Sequence, residues 1–279
     1  MSSLTVLETG PLATIQDHGR PGQAALGVPS SGACDRFSYA LANRLVGNPV
    51  GAAALEVTYG GLTVHADGDL LIAITGAPCT GVPLNAPTLL RSGSVLHLGT
   101  PVSGLRTYVA VRGGIAVPPV LGSRSTDLLS GLGPPPLTAG QTLQIGSPVH
   151  PMPGVDQAPI AAPTSGQVVL RVTPGPRRDW FTGAAWTTLT TQVYEVSTNS
   201  NRVGVRLDGT PLERARSGEL ASEGMTRGAI QIPPSGTPVV FLADHPVTGG
   251  YPVIAYVASA DLDACAQVRP GQPVRLISS

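Results

Sequence analysis

The sequence of 279 residues contains no lysine, and all 17 of its positively charged residues are arginines. This absence excludes several classes of function on chemical grounds. A P-loop needs a lysine for the nucleotide phosphates, a Schiff-base enzyme needs a lysine amine, and a biotin carrier needs a lysine amine to acylate. The chain by itself can therefore carry out none of these three functions.

Charge and aromatic side chains are also scarce. Charged residues make up 12% of the chain, against about 25% in typical proteins, and aromatic residues make up 4%. A surface this poor in charge indicates partial coverage by another chain, because exposed apolar surface tends to associate. The alternative is a compact protein with a large interior. The net charge of zero gives no electrostatic reason to expect binding to nucleic acid or to an acidic membrane.

Cysteine and histidine are few and widely spaced. The three cysteines, Cys34, Cys79 and Cys265, form no CxxC pair, and the N-terminal segment lacks the pattern of a signal peptide. The longest apolar run, Leu70–Ala77, is far too short to span a membrane. The five histidines show no metal-ligand spacing. We therefore expect a cytoplasmic protein with reduced thiols and no metal site.

The most abundant signals are those of turns and short strands. The chain contains 35 glycines and 28 prolines, and short runs rich in Val, Ile, Leu and Thr lie between them. This pattern is typical of sheets closed into barrels or sandwiches. The sequence therefore predicts an all-β fold, mainly β with a few short helices, built from two β-barrel-like halves.

Three short helices and one connector are predicted. Helices are expected at 35–45, with Asp35 as N-cap, and at 176–181 and 261–268. The first would turn one face inward, formed by Phe37, Ala40, Leu41 and Leu45. Residues 151–165 are rich in proline and lack a periodic apolar face, which predicts a linker between halves at 1–150 and 166–279.

Two loops in the first half carry candidate functional groups. The segment QDHGRPG (16–22) offers His18 as a proton shuttle and Arg20 as an anion clamp, and Ser31 lies before a helix start, where free backbone N–H groups suit an anion. The segment GSRSTD (122–127) contains Arg124 and resembles an oxyanion nest. The alternative for both loops is a purely structural role in turns.

The second half contains a denser cluster of polar residues. Arg202 and Arg206 would share one face of a strand and could bind an anion, or could instead form a surface pair with neighbouring carboxylates. Two polar elbows, LASEGMTRGAIQ (220–231) and ADHPVTGGYP (243–252), lie between apolar strands. If these strands pair, several polar groups should converge at one barrel mouth. The residues concerned are Glu223, Gln231, Asp244, His245 and Thr248.

Ten segments in this order resemble the family of the 5-oxoprolinase C subunit, also called KipA, which is similar to allophanate hydrolase subunit 2 and to the carboxyltransferase domain of urea carboxylase. The segments include TIQDHGRPG (14–22), GVPSSGACD (27–35), LGSRSTD (121–127), NRVGVRLDG (201–209) and SEGMTRGAIQIP (222–233). They extend from residue 14 to the TGGYP segment that ends at 252 and so cover nearly the whole chain.

The resemblance implies two cyclophilin-like β-barrels and a KipI-like partner, known as the B subunit, which completes the active cleft. A further A subunit is possible in such an assembly. Complexes of this family hydrolyse the small cyclic amide 5-oxoproline with ATP, which would be a co-substrate of the complex and not a tightly bound cofactor. Residue chemistry then suggests Glu223, Asp244 and His18 as catalytic groups. The candidate substrate-binding residues are Arg20, Ser31, Arg124, Arg202, Ser222, Gln231, Thr248, Gly249, Gly250 and Tyr251.

Two other functions remain open from the sequence. The chain could be a carboxyltransferase-type subunit of a biotin-dependent urea carboxylase or allophanate hydrolase-like system, in which another chain supplies the biotin. It could also be a regulatory protein that binds a KipI-like kinase inhibitor, which would require an interface and no charged cleft.

Overall fold

A computed structural model describes residues 2–218 and 220–279 and divides the chain into two compact units. The first contains the chain up to Arg20, Ser31–Asp127 and Gly131–Pro163. The second contains Pro21–Ser30, Leu128–Ser130 and the chain from Thr164 onward. The predicted linker at 151–165 therefore belongs largely to the first unit, and two short internal segments belong to the second.

The first unit is built from two antiparallel sheets. Its described strands are β1 Ser3–Thr9, β2 Leu12–Gln16, β3 Ala54–Thr58, β4 Leu62–Asp67, β5 Leu70–Gly76, β6 Pro87–Leu90, β7 Val95–His97, β8 Arg106–Val111 and β9 Thr142–Gln144. One sheet has the order β7-β4-β1-β9 and the other the order β2-β3-β8-β5-β6. A single apolar cluster includes side chains of both sheets, among them Leu4 and Val64 from the first and Ile15 and Val109 from the second.

One helix, α1 (Arg36–Leu45), covers the second of these sheets. Asp35 is its N-cap, and the carboxylate accepts hydrogen bonds from the backbone N of Ser38 at 2.9 Å and from its hydroxyl at 2.6 Å. The Tyr108 hydroxyl accepts from the backbone N of Asp35 at 2.8 Å and donates to Glu56 at 2.7 Å. The start of the helix is thus tied to the sheet by a buried polar network.

The second unit contains a closed barrel of seven strands in the order β10-β17-β14-β15-β12-β11-β18. Its described strands are β10 Val168–Pro174, β11 Val193–Val196, β12 Gly204–Asp208, β13 Glu223–Gly224, β14 Ala229–Gln231, β15 Val239–Phe241, β16 Thr248–Gly249, β17 Val253–Val257 and β18 Pro273–Ser278. Strands β10 and β18 pair in parallel and close the barrel, whereas the other neighbouring strands are antiparallel.

Alternation along the strands separates the inside of the barrel from its outside. In β10, Val168, Leu170 and Val172 are buried and the residues between them are exposed. The register carries this alternation round the barrel, so that Ile230 and its partners Val240 and Ala255 also point inward. The interior is therefore packed with aliphatic side chains.

Helices are few and short in the second unit. They are α2, Gly183–Thr191, and α3, Leu262–Cys265, with single 3₁₀ turns at Ala24–Leu26, Arg178–Trp180 and Ser259–Asp261. The predicted helix at 176–181 is only a 3₁₀ turn, and α2 was not predicted. Its N-cap is Thr182, whose hydroxyl accepts from the backbone N of Ala185 at 3.0 Å.

The prediction of a mainly β fold with a few short helices is confirmed. The predicted helix at 35–45 is present, but Phe37 is exposed and Tyr39 is buried in its place. Cys34, Cys79 and Cys265 are all buried, and no disulfide joins them. In the described part of the chain, no helix has the length and apolar character needed to cross a membrane.

Candidate functional site

The two polar elbows of the second half meet as a small β-ribbon. Strand β13 pairs with β16 in the antiparallel sense, with Glu223 opposite Gly249 and Gly224 opposite Thr248. The backbone N of Met225 extends this pairing by donating to the carbonyl of Val247 at 2.8 Å. Three residues predicted to be near one another, Glu223, Thr248 and Gly249, are therefore brought together.

Met225, the residue after β13, packs against the outer face of the barrel. Because Ile230, Val240 and Ala255 point inward, their neighbours on the same strands point outward. Ala229 and Phe241 are such outward residues, and Val253 joins them on this face because the register shifts between Ile230 and Gln231 and pairs Gln231 with Val253. The three form a separate apolar cluster, and Met225 packs against it. The predicted convergence of the polar groups at one barrel mouth stays a prediction.

Gln231 connects the ribbon to the barrel. Its side-chain amide donates to the backbone carbonyl of Tyr251 at 2.9 Å. A Cβ on Gly249 would lie 2.8 Å from the same amide nitrogen, so a larger residue there would displace this amide from its hydrogen bond. The absence of a side chain at Gly249 therefore serves packing within the protein. Ser222, Thr248, Gly250 and Tyr251 are exposed around this point.

Glu223 is held by Arg177, a residue that no sequence pattern singled out. The Arg177 Nε donates to both carboxylate oxygens, at 2.8 and 3.1 Å, and its Nη2 makes a further close contact with Oε1. Both side chains are partly exposed, Arg177 by 37% and Glu223 by 24%. The hydrogen bonds and charge of Arg177 hold the pKa of the Glu223 carboxyl below its ordinary value. Glu223 is therefore ionised at neutral pH and can accept a proton or a hydrogen bond.

Asp244 and Arg202 form a second forked ion pair, but this one is internal. The Nε and Nη2 of Arg202 each lie 2.9 Å from a carboxylate oxygen of Asp244, and the backbone N of Leu128 donates to the same carboxylate at 3.1 Å. The exposed fraction of the two side chains is 1% and 0%. Asp244 was predicted to be an acid/base group and Arg202 an anion clamp, yet each side chain neutralises the other out of reach of substrate. We therefore assign neither of them a catalytic step below.

In the first unit, the candidate loops are joined by the carboxylate of Asp17. It accepts hydrogen bonds from the hydroxyls of Ser123 and Ser125 at 2.6 Å and from the backbone N of Gly19 at 2.7 Å and of Arg124 at 2.6 Å. Asp17 is 2% exposed. Three of these donors bond to Oδ1 and one to Oδ2, so Asp17 holds the 16–20 loop to the 123–125 loop.

The predicted site residues of the first unit lie around this connection. Arg20 is buried, donates to the carbonyl of Ser125 at 2.5 Å, and has its Nη1 4.0 Å from an Asp127 oxygen. The Ser31 hydroxyl donates to the Thr126 carbonyl at 3.2 Å, and the Arg124 Nε donates to the Val117 carbonyl at 2.7 Å. These three side chains thus bond to backbone carbonyls of their own unit.

His18 is the exposed polar side chain of the 16–22 loop. Its ring lies against Gly51, where an added Cβ would come within 2.7 Å of the ring. His245, the remaining histidine of the predicted cluster, is buried, and its Nδ1 lies 2.8 Å from the Pro246 carbonyl oxygen. Among the described residues, no group of three or more His, Cys, Asp or Glu side chains could hold a metal ion.

Residues 26–278 match the family model described as carboxyltransferase domain, subdomain A and B. The chain belongs to this family. It is 37% identical to the 5-oxoprolinase C subunit of Escherichia coli (strain K12), an alignment that covers 98% of this chain and 90% of that protein. The family resemblance read from the ten sequence segments is thereby confirmed.

Solved structures of larger members of the family have the same fold. The crystal structure of TTHA0988 superimposes with a TM-score of 0.89 at 37% identity, over 100% of this chain and 56% of that chain. The structure of the K. lactis urea amidolyase gives a TM-score of 0.89 at 32% identity, over 99% of this chain and 18% of that one. The present chain therefore spans a little over half of one solved relative and less than a fifth of the other.

The internal position of Asp244 predicts the effect of replacing it. Asp244→Asn keeps the shape of the side chain but removes the charge that pairs with buried Arg202, so the free energy of unfolding should fall by about 3–5 kcal/mol. Urea denaturation of the isolated chain measures this loss. Asp208→Asn, at an exposed carboxylate on β12, is the matched control and should stay within about 0.5 kcal/mol of the wild type. Equal stability of the two variants would contradict the assignment.

Proposed function

We propose that this chain is the C subunit of an ATP-dependent 5-oxoprolinase complex and acts there with two partners, a KipI-like B subunit plus an A subunit. The observation that carries the proposal is the match to the E. coli protein of that name along nearly the full length of both chains. Because the alignment covers nearly all of both proteins, it favours the same kind of subunit over a single domain shared with an unrelated assembly.

The geometry of the ribbon supports a role in binding and polarising a small amide. Glu223 provides an ionised, partly exposed carboxylate, and exposed groups of Ser222, Thr248 and Tyr251 lie around it. A carboxylate in this state accepts a hydrogen bond from the N–H of a cyclic amide, or a proton from water that attacks the amide carbonyl. It does not donate a proton at neutral pH, so the acid that protonates the leaving nitrogen must come from elsewhere in the complex.

The rest of the machinery is expected on other chains. The sequence contains no lysine for a P-loop, so we place the ATP site on a partner chain. Consistent with this, the TTHA0988 chain is nearly twice as long as the part of it that this chain matches. In this proposal, the chain presents a rigid face that binds the amide. Its partners supply the nucleotide-binding site and the remaining proton-transfer groups.

A carboxyltransferase function is the second candidate, favoured by the structural match to the K. lactis urea amidolyase over 99% of this chain. In that case another polypeptide supplies the biotin, because this chain has no lysine to carry it. The same ribbon would then bind urea or a related amide in place of 5-oxoproline.

The dependence on partners is tested by reconstitution. The pure chain should show almost no ATP-dependent release of glutamate from 5-oxoproline, and addition of the two candidate partner proteins should restore turnover. Urea with carboxybiotin is the comparison substrate pair and should give no turnover in the same mixture. Full turnover by the isolated chain would contradict the proposal, and turnover only with urea and carboxybiotin would favour the second candidate.

The role of Glu223 is tested in the same complex with Glu223→Gln, which keeps the size of the side chain and removes its charge. If Glu223 is the reacting carboxylate, the rate should fall by about 10²–10⁴-fold, the usual contribution of a general base. Glu213→Gln, at an exposed glutamate of the same unit, should leave the rate within a few-fold. An unchanged rate in Glu223→Gln, with normal assembly of the complex, would show that Glu223 is not the reacting carboxylate.

A further inference from the structure

We propose that Arg177 is a positioning residue that fixes the carboxylate of Glu223 in the place and orientation at which the ribbon acts on substrate. This inference rests on the proposed function, in which Glu223 is the reacting carboxylate. Arg177 lies 46 residues before Glu223 in the chain, outside both polar elbows.

The contact between the two side chains is directional. The planar guanidinium presents Nε and Nη2 to the carboxylate, with Nε within 3.1 Å of both oxygens. Three contacts from two guanidinium nitrogens fix the direction of the carboxylate as well as its distance, which a single contact with a lysine ammonium would not do. Glu223 therefore points in one direction although its strand is only two residues long.

Arg177 is itself anchored to the barrel. Its backbone N donates to the Val253 carbonyl at 3.1 Å, and the backbone N of Gly175 donates to the Ile254 carbonyl at 2.8 Å. A Cβ on Gly175 would lie 2.6 Å from the Val253 oxygen, so this close approach to β17 requires glycine. The segment from Gly175 to Arg177 thus follows the rigid strand β17 and transmits its position to Glu223.

The ribbon needs such an anchor because its own pairing is minimal. Strands β13 and β16 contribute two residues each, and both contain a glycine, Gly224 and Gly249. A two-stranded ribbon is marginally stable on its own. The Gln231 amide holds the chain just beyond β16 through the Tyr251 carbonyl, whereas Arg177 holds β13 at the carboxylate where chemistry is proposed.

The surrounding charges make Arg177 the dominant influence on Glu223. Arg177 is also near Asp179, whose carboxylate is paired with Arg216 at 2.8 Å. His245, in the loop before β16, has its Nδ1 against a backbone carbonyl. Removal of Arg177 takes away the hydrogen bonds and the charge that favour ionised Glu223, so the pKa of Glu223 should rise toward its ordinary value.

Kinetics of the reconstituted complex test the inference. Arg177→Met should lower kcat by about 10- to 100-fold, as loss of an orienting partner commonly does, with a smaller change in KM. The acidic limb of the kcat/KM profile should move to higher pH, because ionised Glu223 is then lost earlier as pH falls. Arg177→Lys keeps the positive charge but loses the planar guanidinium. Its acidic limb should therefore lie close to that of the wild type, whereas its kcat should stay below the wild-type value.

Arg178→Met is the matched control for these kinetics. Arg178 is the next residue along the chain, but its guanidinium lies over the ring of Trp186, 4.7 Å from the ring centre, and makes no described contact with Glu223. This variant should keep the kcat and the pH profile of the wild type.

A titration of the isolated chain gives a readout that needs no turnover. The ¹³C carboxyl resonance of Glu223, assigned by its absence in Glu223→Gln, should titrate at lower pH in the wild type and in Arg177→Lys than in Arg177→Met. An identical midpoint in wild type and Arg177→Met would overturn the inference, and so would an unchanged kcat and pH profile. If Arg177→Met does not fold, Arg177→Lys tests the inference instead. This variant should titrate Glu223 at the wild-type midpoint but have a lower kcat than the wild type. A wild-type kcat in Arg177→Lys would overturn the inference.

The outcome for Glu223→Gln separates this inference from the proposed function. If Glu223→Gln leaves turnover unchanged, the assignment of the site fails and the inference fails with it. If Glu223→Gln abolishes turnover while Arg177→Met behaves like the wild type, only the positioning role fails.

Discussion

Closure of the seven-strand barrel by the parallel pairing of β10 with β18 is the constraint on which the candidate site depends. Because the barrel is closed, each strand has one face in the aliphatic interior and one face outside. Met225, directly after β13, packs on the outer face of β14, β15 and β17, and the segment after β10 brings Arg177 to β17. The candidate site thus consists of a short, weakly paired ribbon that is held by the closed barrel. Such an arrangement is suited to a fixed binding surface.

Two carboxylate–arginine pairs in this unit have opposite consequences because their burial differs. Arg202 and Asp244 lie almost completely out of contact with solvent, so their mutual neutralisation holds the segments that carry them together. Arg177 and Glu223 are partly exposed, so the carboxylate keeps a solvent-facing side on which a substrate can bind. Both pairs consist of the same residue types, an arginine and a carboxylate, so the exposure of the side chains distinguishes the structural pair from the candidate site.

The sequence predicts this protein well where local chemistry decides the structure. Asp35 caps α1 as expected, and the glycine-rich elbows of Glu223 and Thr248 meet as expected. It predicts poorly where distant pairing decides. Phe37, expected on the buried face of α1, is exposed, and the threonine-rich α2 has weak helix propensity. Arg177 carried no signal of its own because its partner lies 46 residues away.

The central claim is that the ribbon of β13 and β16 is the face that meets substrate, and hydrogen–deuterium exchange on the assembled complex tests it most directly. Peptides that contain Glu223–Gly224 and Thr248–Gly249 should exchange several-fold more slowly when 5-oxoproline and ATP are added. The exposed 3₁₀ turn at Ala24–Leu26 serves as an internal reference and should not change. Unchanged exchange in the ribbon, together with slower exchange in the 16–22 loop, would contradict the account and place the substrate in the first unit.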